Sequence, residues 1–135
     1  MEFMQQNAVY MFIVIVFAWF LWQRVIGPRL SGVKSMDATA YLQMRNQEHT
    51  LLDVRQQGEW ASGHAPTAIH IPLGELKQRM DEVSKDKPVI VICASGNRSS
   101  MAATALGNTG HDEVYNFSGG MGAWARASLP VKTGA

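Results

Sequence analysis

Pro88-Val89-Ile90-Val91-Ile92-Cys93-Ala94-Ser95-Gly96-Asn97-Arg98-Ser99-Ser100 is the stretch that decides how this chain folds. Four consecutive β-branched residues run into the only cysteine of the protein, and a short loop containing Gly96 follows. An arginine and two serines then lead into Met101-Ala102-Ala103-Thr104-Ala105-Leu106. An apolar run of that kind reads as a buried strand, and the alanine-rich stretch reads as a helix. Such a junction aims several backbone N–H groups and the positive end of a helix dipole at one place. Cys93 is the side chain best placed to sit there. The thiolate is the reactive form of cysteine, and helix N-termini and nearby cations favour it. Here the loop supplies the donors and Arg98 the cation. Gly96 lets the loop close without a Cβ clash, and Ser99 or Ser100 is placed to cap the helix. The competing reading is a buried, inert cysteine ending a strand; the polar loop and its arginine favour a reactive thiol.

Outward from this stretch, strands and helices alternate. Thr50-Leu51-Leu52-Asp53-Val54 reads as another buried strand, with Asp53 near its carboxyl end. A loop and short helix occupy 55–64, and Pro72 stops a short strand at 69–71. Leu73, Leu76, Met80 and Val83 share one face of an expected helix over 73–83. Beyond the cysteine come a strand at 113–117, a tight turn at Ser118-Gly119-Gly120 and a helix at 121–127 carrying Trp124. Upstream, Asp37 is placed to cap a helix over 38–45. Alternation of this kind implies an α/β class, with a mainly parallel sheet covered by helices on both faces. Ligand sites in such folds lie off the carboxyl ends of the strands, where both Cys93 and Asp53 fall. Asp53 either pairs with Arg98 and holds the loop, or caps the turn that follows it.

A chain of 135 residues, 47% hydrophobic, allows one domain of ordinary size. A net charge of +1 excludes a nucleic-acid binder that relies on a basic field. A single cysteine excludes an intrachain disulfide framework. His49, His64, His70 and His111 show no metal-ligand spacing with each other or with Cys93, so they read as surface or core histidines and no metal is expected. Trp60 and Trp124 read as core aromatics. Gly119-Gly120 lacks the Lys-Ser/Thr that a phosphate loop needs.

The N-terminus carries a different signal. Ala8 to Trp22 is an unbroken apolar run, and Met4 on one side and Val25-Ile26 on the other extend it to 5–26. The strict run falls short of the ~20 residues of a membrane-spanning helix and the extended one reaches them, and Gly27-Pro28 would end the helix. Tyr10, Trp19 and Trp22 fall where interfacial anchors would. Only Glu2 is charged before the run, whereas Arg24, Arg29 and Lys34 follow it. The positive flank stays inside, so the expectation is a single-pass protein of an inner or plasma membrane with its N-terminus outside and the rest cytoplasmic. A cleaved signal peptide would need a basic leading region and a small-residue cleavage site, and neither is present. The expected layout is a transmembrane helix in 1–28, a basic linker at 29–36 and a globular domain at 37–135.

Four blocks of this sequence resemble a single-domain rhodanese. They are Leu51-Leu52-Asp53-Val54-Arg55 with Glu59-Trp60; Gly63-His64-Ala65-Pro66-Thr67-Ala68-Ile69-His70-Ile71-Pro72; Cys93 to Ser99; and Gly119-Gly120-Met121-Gly122-Ala123-Trp124. They stand in the family's order and spacing and span nearly all of 37–135. Thr67 departs from the pattern, which commonly has glycine after the proline. The resemblance implies a small rhodanese-like domain preceded by the transmembrane helix, and a sulfurtransferase. Cys93 as thiolate would take a sulfane sulfur from thiosulfate or, in preference, a persulfide, hold it as a covalent persulfide, and pass it to a thiol or cyanide acceptor. The N–H groups of the loop Ala94, Ser95, Gly96, Asn97, Arg98 and Ser99 would stabilise the terminal sulfur anion, and no cofactor is implied.

Four residues separate Cys93 from Arg98. The related cysteine phosphatases use a loop one residue longer, so this loop suits one sulfur atom better than a phosphate. With Arg98 its only cation, the loop is expected to use the thiosulfate dianion poorly. The alternative is a membrane-tethered binding or sulfur-relay module with little turnover, docked on a membrane protein. The implied partners are a sulfane-sulfur donor, its acceptor and the membrane through 5–26, without nucleic acid.

Overall fold

The computed structural model describes residues 2–22 and 33–135. They fall into two compact units, one holding the N-terminal helix and the other everything from the first strand onward. In the first, helix α1 (Glu2–Leu21) forms as expected, with Tyr10, Phe12, Val14, Phe17 and Trp19 among its exposed apolar side chains. The expectation of a spanning helix needs correction: among the described residues no helix is long and apolar enough to cross a membrane. Gln5, Gln6 and Asn7 make the turn before the apolar run polar. The strict run 8–22 rises only about 22 Å, against a hydrocarbon core of ~30 Å. Residues 23–26, which were expected to lengthen it, lie outside the described residues, as do residues 29–32 of the expected linker.

The second unit is a five-stranded sheet in which every pairing is parallel. Its strands are β1 (Val33–Met36), β2 (Thr50–Asp53), β3 (Ile69–His70), β4 (Val89–Ile92) and β5 (Val114–Phe117), in the order β1-β5-β4-β2-β3. Residues 33–36 are therefore not linker. They pair with β5 from Val33 opposite Val114 to Met36 opposite Phe117. Lys34 and Ser35 are exposed on this edge strand. An edge strand with solvent on its side chains needs no apolar run, which is why its sequence looks like a linker.

The helices of this unit are α2 (Ala38–Met44), α3 (Gln57–Ser62), α4 (Leu73–Leu76), α5 (Asn97–Asn108) and α6 (Gly120–Arg126). Asp37 caps α2, its Oδ1 accepting from Ala40 N at 2.8 Å. The single helix expected over 73–83 is instead α4 followed by a 3-10 turn at Met80–Glu82. Gly74 in the first turn weakens helix propagation. The apolar side chains still reach their destination: Leu76 and Val83 are buried beside the sheet, with Leu73 and Met80 packed against them.

Strand β4 is buried on both faces, which is why its sequence is continuously apolar. Val89 and Val91 face Ala102, Ala103 and Leu106 of α5. Ile90 and Ile92 face Tyr41 of α2, Phe117 of β5 and Trp124 of α6. Side chains alternate along a strand, so Cys93 continues the parity of Val89 and Val91 and lies on the α5 side. From β2 the chain moves outward to β3, and from β4 it moves the opposite way to β5. The carboxyl ends of β2 and β4 are thus the two sides of a topological switch point, the usual location of a ligand crevice.

Candidate active site

Asp53 ends β2 in register with Ile92 of β4, and Cys93 is the next residue. The Cys93 thiol is buried, while Ala94, Ser95 and Asn97 after it are exposed. Gly96 turns the chain into α5 at φ +104°, a left-handed conformation that favours glycine. That geometry brings the Gly96 N–H back onto Cys93 Sγ, N to S 3.0 Å. The expected capping by Ser99 or Ser100 is not what forms, because the N-cap position belongs to Gly96. Ser99 is buried and has a different job. Its Oγ lies 3.3 Å from Cys93 Sγ and its hydroxyl donates to Asn116 Oδ1 of β5. Asn116 Nδ2 in turn donates to Gly96 O at 3.3 Å, tying the loop to the neighbouring strand. The hydroxyl proton can rotate from Asn116 to the sulfur when the thiol ionises.

Burial pushes the Cys93 thiol up, but the Ser99 hydroxyl and the backbone N–H groups of Ser99, Gly96 and Ser95 together outweigh it. The thiol is therefore held below the ordinary cysteine range, and the first turn of a 12-residue helix lies beside it. From the other side α6 completes the enclosure. Met121 N donates to Cys93 O at 2.9 Å, so the β5–α6 turn grips the start of the loop. Gly120 makes this approach possible at φ +56°, where any Cβ would strike the carbonyl oxygens of Cys93 and Ala94. Gly119-Gly120, which resembles a phosphate-loop fragment, thus serves a backbone-to-backbone contact.

Of the two roles expected for Asp53, capping of the turn after β2 is the one that forms, its Oδ1 accepting from Arg55 N. Asp53 does not hold Arg98. Its carboxylate is buried against Arg55, receiving Nε at 3.0 Å and Nη2 at 2.8 Å, and also the Arg55 N–H at 3.0 Å. Arg55 then reaches two carbonyls of the following segment, Glu59 O at 3.2 Å and Gly63 O at 2.7 Å. Arg98 instead makes a two-pronged pair with Glu59, Nη1 to Oε1 at 2.6 Å and Nη2 to Oε2 at 2.8 Å. The Arg98 hydrogen bonds hold the Glu59 carboxyl down at about 2. The folded-state value is depressed, so the pair is present throughout the neutral range and is lost only as the pH falls toward that value. The physical reason for the exchange is reach. Asp53 is saturated by its neighbour two residues on, while α3 places Glu59 under the loop.

Trp60 holds α3 in place. It is stacked between His64, ring centroids 3.6 Å apart, and His70, 4.7 Å apart. It is only partly buried, so it clamps the site's flank and is not a core aromatic. Trp124, in contrast, is buried as expected. All four histidines have structural partners. His64 and His70 bond the carbonyls of Trp60 and Arg55, His111 spans those of Leu106 and Val83, and His49 meets Tyr41 Oη.

A family model for the Rhodanese-like domain matches residues 37–127. The chain belongs to the rhodanese-like domain family. A protein of Allochromatium vinosum named sulfurtransferase is 41% identical over 81 residues, which is 60% of this chain and 76% of that protein. A rhodanese-related protein of Thermoplasma volcanium superposes with a TM-score of 0.68 at 33% identity, over 73% of this chain and 97% of that one. An NAD-dependent persulfide reductase from A. fulgidus is similar over 76% of this chain but only 18% of its own, at 30% identity and a TM-score of 0.58. The domain brings together Cys93, the loop and Ser99, while Asp53 contacts Arg55 and not the loop's Arg98.

Sequence reading missed Asn116 and assigned no role to Glu59. Val114 and Asn116 share the α5 face of β5, so an amide at the carboxyl end of a buried strand was a usable signal. Glu59 stands 39 residues from Arg98, and no local pattern joins them.

Proposed function

We propose that the protein is a sulfurtransferase that carries sulfur on Cys93. The observation carrying this reading is the lowered thiol held by the Ser99 hydroxyl and the Gly96 N–H at the start of α5. The thiolate attacks the outer sulfur of a donor R–S–SH, a new S–S bond forms to Cys93, and the old S–S electron pair leaves on R–S⁻. The same N–H groups that lower the thiol then face the terminal sulfur anion of the persulfide. An acceptor thiolate or cyanide attacks that sulfur, and the pair returns to Cys93 as thiolate. The reaction needs no cofactor, since each step is a two-electron displacement at sulfur. A persulfide is the favoured donor because Arg98, the only cation of the loop, is already paired with Glu59.

Intact-mass measurement after incubation with thiosulfate or an alkyl persulfide tests this. The expected result is a gain of one sulfur atom, discharged by cyanide. A mass unchanged by every donor would overturn the enzymatic reading and leave a binding or relay module.

We also propose that α1 and the residues after it attach the domain to a membrane with the domain on the cytoplasmic side. The exposed apolar side chains of α1 and the Arg24, Arg29 and Lys34 flank support this. The full chain should then sediment with membranes through an alkaline wash, and recovery in the supernatant would refute the attachment.

A further inference from the structure

We propose that Glu59 sets the charge selectivity of the site: by occupying Arg98, it makes the loop discriminate against dianionic sulfane donors. The inference rests on the sulfur-transfer reading above and adds the residue that decides which donor is taken. Arg98 is the only cation of the loop, and both of its terminal nitrogens are spent on Glu59. The pairing does not require Arg98 as its anchor. Glu59 Oε1 also accepts from Gln56 N at 3.1 Å, which fixes the carboxylate on the first turn of α3. The second arginine near the crevice, Arg55, is equally committed to Asp53. Arg126, exposed at the end of α6, belongs to neither pair; its guanidinium lies over Gly119 and Gly122, and neither Glu59 nor Asp53 variants alter it. Each arginine–carboxylate pair is neutral, so an incoming donor meets the Cys93 thiolate with no net positive charge from either pair beside it.

The consequence differs between donors that share one chemistry. With thiosulfate the thiolate takes the sulfane sulfur and the S–S electron pair leaves on sulfite, a dianion replacing a dianion. With methanethiosulfonate the same sulfane–sulfonyl bond breaks and the pair leaves on methanesulfinate, with one negative charge fewer throughout. At ~5 Å and an effective dielectric between about 20 and 80, one released positive charge changes the preference between them by roughly tenfold. The Glu59–Arg98 pair is about one-third exposed, which places it toward the screened end of that range.

The test is the ratio of kcat/KM for thiosulfate to that for methanethiosulfonate, with cyanide as acceptor, in the full chain. Glu59→Gln should raise the ratio about tenfold, and the rise should shrink with added salt. The double variant Glu59→Gln/Arg98→Gln removes a neutral pair, so its ratio should return to within about threefold of the parent. An unchanged ratio in Glu59→Gln overturns the inference. So does a rise that survives in the double variant, because the released guanidinium would then not be its source. Should Glu59→Gln fail to fold, the double variant decides alone: a ratio tenfold or more below the parent would show that Arg98 already serves as the anion clamp, contrary to the proposal. In these outcomes sulfur transfer itself stands; a parent chain that transfers sulfur from neither donor sinks the sulfur-transfer reading, and this inference with it.

Discussion

Cys93→Ser is expected to carry no extra sulfur after incubation with any donor, and to lose on the order of 10⁴ or more in kcat/KM. The serine Oγ would sit in the same bowl, facing the Gly96 N–H and the Ser99 hydroxyl that now serve Cys93 Sγ. Those donors hold the thiol below its ordinary range, which enlarges the thiolate fraction over that of a free cysteine. A hydroxyl starts several units higher, and the same donors do not bring it into that range. An oxygen that did attack would form an S–O bond, which has none of the exchange chemistry of a disulfide. The variant should keep its fold, since the hydroxyl offers the loop an acceptor where the sulfur did. Its unfolding midpoint is therefore the control, and the sulfur-transfer rate the readout. No other thiol can substitute, because Cys93 is the only cysteine in the sequence. Turnover persisting in Cys93→Ser would place the chemistry elsewhere. On the proposed mechanism, the parent protein should transfer sulfur somewhat below the ordinary thiol range and lose rate as acid protonates the thiolate. A rate that rises only through the free-cysteine range would remove the basis of the mechanism.

How much of this was legible in the sequence depends on whether the information was local. The strand–loop–helix around Cys93 was, because an apolar run, a glycine and a helical stretch follow one another without interruption. The alternating order implied the parallel sheet for the same reason. Edge strand β1 was not legible. Its register with β5 is set by backbone pairing 81 residues away, as Val33 to Val114, and its two central side chains, Lys34 and Ser35, face solvent. The break in 73–83 was hidden because its apolar spacing suits helix equally well, and the side chains do bury. The ion pairs exchanged partners for a geometric reason. Sequence placed Asp53 and Arg98 near the same crevice but could not show that Arg55 folds back onto its own strand end. Nor could it show that Trp60, the neighbour of Glu59 on α3, would stack against two imidazoles. Ser99 was placed correctly among the loop donors to the sulfur, but the capping also expected of it does not form, because Gly96 has already taken that position.

Asp53→Ala is expected to destabilise the folded domain by about 3–5 kcal/mol, a large part of the ~5–15 kcal/mol that holds a typical domain together. The carboxylate has no exposure and is bonded by Arg55 through Nε, Nη2 and the backbone N–H. Removing it leaves the guanidinium of a buried arginine, still facing the carbonyls of Glu59 and Gly63 but with no counter-charge. A buried charge whose partner is deleted costs far more than the intact pair contributes, because the desolvation is no longer offset. The double variant Asp53→Ala/Arg55→Met should therefore recover about half of the loss, since it removes the stranded charge and keeps most of the packing. Chemical denaturation of the three proteins measures both numbers. If Asp53→Ala unfolds at the parent's denaturant concentration, the pair is not what joins β2 to α3. A double variant less stable than the single would show that Arg55 contributes mainly through its two carbonyl bonds. The effect should also reach the chemistry. Arg55 holds both ends of the segment that carries Glu59, so loosening it frees Arg98 in part. Folded Asp53→Ala should accordingly shift donor preference toward thiosulfate, in the same direction as Glu59→Gln and by a smaller factor. Stability and selectivity are then linked through one buried carboxylate that touches neither the sulfur nor its donor.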